Sequence, residues 1–235
     1  MALILSIETS TSVCSVALHD RGKLVAVEEL RQEQVHATQL APLIEKVRSV
    51  AGIDWQKVNA IAVSSGPGSY TGLRIGVSTA KGLCFSLNIP LISVSTLQVM
   101  AVQVLPPEVA TDWLCPMIDA RRMEVFCQIF SGDAKALHPV EAKIIDESSF
   151  AERLETGRIL FFGNGAPKCK PFITSKNAIF LEGIDPLAAH MGMIAYNHFL
   201  RQETVDLVHF EPLYLKEFMI KKPLSGEPTM NKINV

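Results

Sequence analysis

Apolar residues along this chain recur at two different periods, and each change of period marks a structural element. Residues 3–7 are a short apolar run ending in the polar stretch Glu8-Thr9-Ser10-Thr11-Ser12. Residues 13–18 then alternate, and beyond a turn at Asp20-Arg21-Gly22 the side chains of Leu24, Val25 and Val27 continue the pattern. Short apolar runs separated by turn-forming residues predict three antiparallel strands. From Val35 the spacing lengthens, with Leu40, Leu43, Ile44, Val47 and Val50 three and four residues apart, as one side of a helix requires. Pro42 should bend that helix or mark its first turn. Residues 60–64 read as a strand, 70–87 as a helix and 91–94 as a strand, with another helix from Thr96.

Pro106-Pro107 and the residues to Asp112 are the best candidate for a link between domains. After it the order returns. Strands are expected at 114–118, 124–130 and 142–145, with a turn at Asp119-Ala120-Arg121-Arg122, then a helix near 148–154 and a strand at 159–162. Gly163-Asn164-Gly165, a short strand at 178–181 and a helix over 186–200 close the second pass. The expectation is an α/β protein of two βββαβα-type lobes, residues 1–106 and an abbreviated 107–216 whose last helix packs back on the first, followed by a flexible tail at 217–235.

The loop Gly66-Pro67-Gly68-Ser69 joins a strand to the helix over 70–87, and Ser69 is suited to cap it. Within that helix Gly72, Gly76, Ala80 and Cys84 recur every fourth residue and line one nearly bare face. Its three glycines, the third being Gly82, cost about 1 kcal/mol each against alanine, so something must approach this backbone closely. Either the chain's own sheet does so, or a helix of another chain, or a phosphate at the helix N-terminus.

The length of 235 residues allows one large or two modest domains. With 20% charged and 48% apolar residues the chain is globular, and a net charge of -2 offers no basic surplus for autonomous nucleic-acid binding, so a role near RNA needs a partner. Five cysteines, at 14, 84, 115, 127 and 169, include no Cys-x-x-Cys pair, which argues against a zinc site or disulfide framework and for reduced thiols in a cytoplasmic protein. The apolar start lacks a basic flank and is broken by Glu8, so it fails as a signal peptide, and no window reaches the roughly 18 apolar residues of a membrane span.

Catalytic chemistry is sparse. No two of the six histidines stand three or four residues apart, which disfavours a metalloenzyme. Ser64, Ser65 and Ser69 lack the Gly-x-Ser-x-Gly spacing of a hydrolase nucleophile. Glu8 and Asp119 each end the first strand of their half, where two carboxylates facing a cleft could hold a magnesium nucleotide, or could simply satisfy turn amides.

Five motifs taken in series resemble one family: Ile7-Glu8-Thr9-Ser10 with Cys14-Ser15-Val16-Ala17-Leu18; His36-Ala37-Thr38-Gln39-Leu40 with Pro42-Leu43; Gly66-Pro67-Gly68-Ser69-Tyr70-Thr71-Gly72-Leu73-Arg74-Ile75-Gly76; Ser93-Val94-Ser95-Thr96-Leu97; and Ile118-Asp119-Ala120-Arg121 with Glu124-Val125. Together they are similar to the TsaB (YeaZ) family. The resemblance implies an actin-like/Hsp70-like ATPase (ribonuclease H-like) fold. It also implies a non-catalytic scaffold for the paralogue TsaD, joined by the ATPase TsaE, in threonylcarbamoyl modification (t6A) of adenosine 37 in tRNAs that read ANN codons. A homodimer is implied for the chain alone, with tRNA engaged only through the complex. In TsaD a His-x-x-x-His pair binds the metal; the matching positions here are Thr96 and Met100. No catalytic or metal residue is therefore expected. A vestigial nucleotide site would comprise Glu8, Thr9, Ser10, Asp119, Gly163 and Gly165, with ATP and magnesium entering only at the level of the complex. The partner interface would comprise His36, Gln39, Leu40, Leu43, Thr71, Gly72, Arg74, Ile75, Gly76 and Lys81. The competing reading is a stand-alone enzyme of the same fold, a nucleotide-dependent small-molecule kinase or a peptidase.

Overall fold

A computed structural model describes residues 1–32, 34–106 and 110–215. The first half runs β1 (Leu3–Glu8), β2 (Val13–Asp20), β3 (Lys23–Arg31), α1 (His36–Ala51), β4 (Val58–Ser64), α2 (Tyr70–Leu87), β5 (Leu91–Val94) and α3 (Thr96–Gln103). The second runs β6 (Trp113–Asp119), β7 (Glu124–Cys127), β8 (Phe130–Ser131), β9 (Glu141–Ile144), α4 (Ala151–Thr156), β10 (Ile159–Phe162), α5 (Ala166–Cys169), β11 (Ala178–Leu181) and α6 (Gly192–Leu200). The expected tail at 217–235 and part of the expected link lie outside the described residues.

The five-stranded sheet has the order β3-β2-β1-β4-β5, and the second sheet follows β9-β7-β6-β10-β11. The two orders correspond strand for strand. In each, the first strand of the half is central, pairs antiparallel with the next strand and parallel with a later one, β4 in the first half and β10 in the second. The difference is in the crossover helices: α2 has 18 residues, whereas α5, at the same place in the second half, has 4.

Alternation decides which side chains face which layer. On one face of the first sheet Leu3, Leu5, Ile7, Ile61 and Val63 pack beneath α1 and α2 with Leu40, Ile44, Val47, Val77 and Ala80. On the other, Ile4, Ala60, Ala62, Ile92 and Val94 meet Val99 of α3 and Met191, Ile194 and Ala195 from the second half. A central strand with both faces covered reads as a nearly continuous apolar run, as residues 3–7 do apart from Ser6, whose buried hydroxyl meets His19. Leu97, Met100 and Ala101 of α3 turn instead to the second sheet, against Leu114, Ile118, Leu160 and Phe162. This helix is therefore the shared layer between the sheets.

Three expectations need correction. The strand expected over 124–130 ends at Cys127, and Phe130 pairs back with Leu114 of β6. The helix expected over 186–200 is a single turn at Ala188–His190 followed by α6 from Gly192. Its start is set by a close approach: a β-carbon on Gly192 would overlap the His19 ring and the Gly22 carbonyl. His19 is fully buried there, its Nδ1 3.2 Å from Ser6 Oγ and its Nε2 3.1 Å from the Ala189 carbonyl, and burial pulls its pKa down. Pro42 lies exposed inside α1, as expected, but in its second turn and so does not mark the first.

Past α6 the chain crosses the edge of the first sheet. Val205 bridges Leu91 of β5, the Leu213 amide donates to the Ser65 carbonyl at 2.7 Å, and Tyr214 lies 4.8 Å from the Tyr70 ring. This strap was not legible in the sequence, because none of its contacts repeats at a helical or strand period.

Candidate functional site

The loop after β1 meets the start of α2 with almost no room between them. Ser69 Oγ accepts the Gly72 amide at 3.2 Å as the expected cap, while the Ser69 amide donates to the Ser10 carbonyl at 2.6 Å. β-Carbons built on Gly68, Gly72 and Gly76 would overlap the Ser10 carbonyl, the Thr9 carbonyl and Thr9 Oγ1 respectively. The bare stripe is thus covered by this chain's own β1–β2 turn. Gly72, Gly76, Ala80 and Cys84 are all buried, so Gly72 and Gly76 are removed from the expected partner surface.

Beneath that cover Glu8, Thr9 and Ser10 are at most 1% exposed. Glu8 Oε1 accepts the Ser10 amide at 2.6 Å, while Glu8 Oε2, Thr9 Oγ1, Ser10 Oγ and Thr96 Oγ1 are buried without a partner among the described residues. Burial pushes the Glu8 carboxyl above the ordinary carboxylate range, and the polar groups of Ser10, Ser64 and Thr9 around it only partly offset this.

The matching carboxylate of the second half has a different fate. Asp119 stands at the end of β6, half-exposed, and its Oδ1 binds the ammonium of Lys168 from α5. Lys168 Nζ also donates to the carbonyls of Arg122 at 2.8 Å and Glu124 at 2.6 Å. Three oxygens thus surround an ammonium beside Asp119. Nearby, Gly163, at φ 99°, lies against Met117 and Met100, and Gly165 against the Ile118–Asp119 backbone. These glycines allow the β10–α5 loop to pack closely on β6.

The six expected nucleotide residues do not fit a magnesium nucleotide. Glu8, Thr9 and Ser10 are sealed under α2, and Asp119 is neutralised by Lys168. Among the described residues no group of three or more His, Cys, Asp or Glu could hold a metal ion. Lys168 could not be found from the sequence, since it lies 49 residues from Asp119 and is set there by the fold alone.

A stability measurement tests the account of Glu8. Because its folded pKa is raised, the native state holds the proton more tightly than the unfolded chain. Glu8 therefore costs progressively more stability as pH rises above 4.5, until it reaches the folded value. Glu8→Gln keeps an acceptor for the Ser10 amide and removes the buried charge. It is expected to stabilise the fold by about 1–3 kcal/mol at pH 8, with the gain fading towards pH 4.5, in urea titrations across that range. A loss of stability at pH 8 would show that the carboxylate is satisfied.

The other expected interface residues separate by exposure. His36 and Leu40 are buried, His36 Nε2 lying 3.4 Å from the Val13 carbonyl, so they serve this chain's core. Gln39, Leu43, Ile75 and Lys81 are half-buried, Lys81 Nζ donating to the Val208 carbonyl at 3.1 Å. Thr71 and Arg74 are exposed, with the Arg74 guanidinium 4.2 Å from the Tyr70 ring centroid and donating to Tyr214 Oη at 3.2 Å. The outward stripe of α2 is instead Thr71, Ser78, Gly82 and Phe85, all exposed, and on α1 Thr38, Ala41 and Pro42 are exposed as well. Phe85 is 83% exposed, and a β-carbon on Gly82 would meet nothing within 4 Å. The signal for this stripe was present: Phe85 falls out of phase with Leu73, Val77, Ala80 and Cys84.

The sequence and fold match known proteins over nearly the whole chain. The family model for TsaD, tRNA N6-adenosine threonylcarbamoyltransferase, matches residues 30–218. The tRNA threonylcarbamoyladenosine biosynthesis protein TsaB of Escherichia coli is 33% identical over 231 residues, 95% of this chain and 99% of that protein. TsaB of Haemophilus influenzae is 29% identical, covering 95% and 97%. The solved structure of YeaZ from Pseudomonas aeruginosa superposes with a TM-score of 0.79 at 26% identity, covering 92% of this chain and all of that one. The two corresponding sheets and their crossover helices are those of the actin-like ATPase fold. No helix among the described residues is long and apolar enough to cross a membrane.

Proposed function

The chain belongs to the TsaB (YeaZ) family of tRNA threonylcarbamoyladenosine biosynthesis proteins, and from that premise we propose that it is the non-catalytic scaffold that binds and activates TsaD. TsaE joins the pair, and TsaD transfers threonylcarbamoyl to adenosine 37 of ANN-reading tRNAs. The observation that carries this reading is the outer face of α1 and α2, where an almost fully exposed Phe85 stands one turn from an unobstructed Gly82. Small residues let a partner helix come close, and an aromatic ring supplies the anchor that association requires. In the absence of TsaD the same face pairs two copies of this chain, so homodimer and heterodimer compete.

Support also comes from what the residues cannot do. Thr96 and Met100, at the positions of the metal-binding histidines of TsaD, are both fully buried, and a thioether is a poor ligand for a hard cation. Three of the buried cysteines are poorly suited as nucleophiles: burial pushes the thiols of Cys14 and Cys169 up to about 11 and that of Cys84 to about 12.

Weighing the assemblies tests the proposal. Mixed with TsaD and TsaE, with and without ATP, this chain is expected in a stable complex with TsaD, and t6A should form on tRNA only when both are present. Equal t6A formation by TsaD and TsaE alone would refute the scaffold. ATP turnover by the isolated chain, abolished by Glu8→Ala or Asp119→Ala, would favour a stand-alone enzyme.

A further inference from the structure

The hairpin between β6 and β7 breaks a local rule. At its tip Arg121 and Arg122 both take left-handed backbone conformations, φ 66° and 48°. Tight hairpins do require positive φ at successive positions, but Asn-Gly or Gly-Gly meets that need, whereas side chains with a β-carbon are strained there. Two consecutive arginines are the opposite choice.

The surroundings hold the strained tip in place. Asp119 Oδ1 accepts the Arg121 amide at 2.9 Å, and Lys168 binds the same carboxylate together with the Arg122 and Glu124 carbonyls. Asn164 Oδ1 accepts the Asp119 amide at 2.9 Å, tying the base of the hairpin to the β10–α5 loop. A conformation over-determined in this way persists despite its strain, and such positions cluster where a function needs them. Both arginine side chains are exposed, and neither guanidinium has a hydrogen bond or ion pair among the described residues. The Asp119–Lys168 pair is thus accounted for: it braces the tip while both arginines stay free.

We propose that Arg121 and Arg122 grip the phosphate backbone of RNA, so that this subunit contributes directly to holding the tRNA within the assembly inferred above. The inference rests on that reading. A guanidinium fork matches the paired oxygens of a phosphate, and phosphate contacts position a nucleic acid without reading its sequence. A protein partner would want an apolar anchor at the centre of the contact, and the tip offers none: Ala120 is buried and Met123 half-buried. With a net charge of -2, only a local cluster of this kind can attract RNA to the chain.

The test uses this chain assembled with TsaD and an unmodified transcript of an ANN-reading tRNA, with binding measured over a series of salt concentrations. In the double variant Arg121→Gln/Arg122→Gln the complex with TsaD should form as before. Its RNA affinity near 0.1 M salt should fall on the order of tenfold, and the slope of log affinity against log salt should lose about one to two units. The double lysine variant, which keeps both charges, should retain most of the affinity. Arg121→Gly should melt higher than the parent, since its backbone strain is relieved, yet bind RNA more weakly. Unchanged affinity and slope in the glutamine variant, with the complex intact, would overturn the inference. Loss of the TsaD complex itself would also overturn it and assign the arginines to an acidic protein surface. Failure of the parent chain to assemble with TsaD would refute the scaffold reading, and the inference with it.

Discussion

Gly72→Val is expected to destabilise the fold by about 3–4 kcal/mol, towards the upper end for overpacking, because the clash is with backbone. The added β-carbon would overlap the Thr9 carbonyl, and that turn cannot retreat: the Ser69 amide holds the Ser10 carbonyl at 2.6 Å, and Gly68 lies directly on it. Gly82→Ala makes the contrast. It sits on the same helix with nothing within 4 Å of its β-carbon and should stabilise by roughly 1 kcal/mol, the helix-propensity difference. Urea unfolding of the two variants reads both effects. Similar midpoints would mean that the turn over α2 yields easily and that the packing described here is loose. The contrast also bears on any study of association: a bulky residue at Gly76 perturbs the fold first and reports on partner binding only through that damage.

The largest expected effect on function comes from the outward stripe. Phe85→Glu, or Gly82→Arg, should weaken association with TsaD by about 100-fold, close to 3 kcal/mol, the scale of an interface anchor. Both positions are exposed, so neither substitution should destabilise the fold by more than about 0.5 kcal/mol, and Gly82→Arg should gain up to about 1 kcal/mol from helix propensity. Calorimetric titration of TsaD with each variant, beside its unfolding curve, separates the two readouts. Parent-like affinity in both variants would remove this face from the interface. Loss of the homodimer in the same variants is the companion result, because one face serves both associations.

Much of the fold was legible in the residues. The helix over 70–87 has the bounds that its pattern predicts, Ser69 caps it, and the doubled order of strands and helices is present in the two sheets. The errors occurred where neighbours in space override local pattern. Gly192 starts α6 late because His19 occupies the space beside it, and β7 stops at Cys127 before the chain returns to β6. The candidate site fared worse. Glu8 and Asp119 occupy equivalent places in the two halves, as their positions in the chain suggest, yet one is sealed under a helix and the other is bound to a lysine.

What the sequence by itself determined was the period of each segment, and through it the strands, the helices and the side of each that had to be covered. Burial on a sheet or against a helix imposes that period whatever the cover is. Only the tertiary structure decided what does the covering. A stripe of small residues admits any close neighbour equally well, and here it admits the turn at Thr9, which leaves Gly82 and Phe85 facing outward. The partner of Asp119 was decided in the same way, because a charge accepts whichever opposite charge the folded chain brings within reach, and no spacing along the chain encodes that meeting.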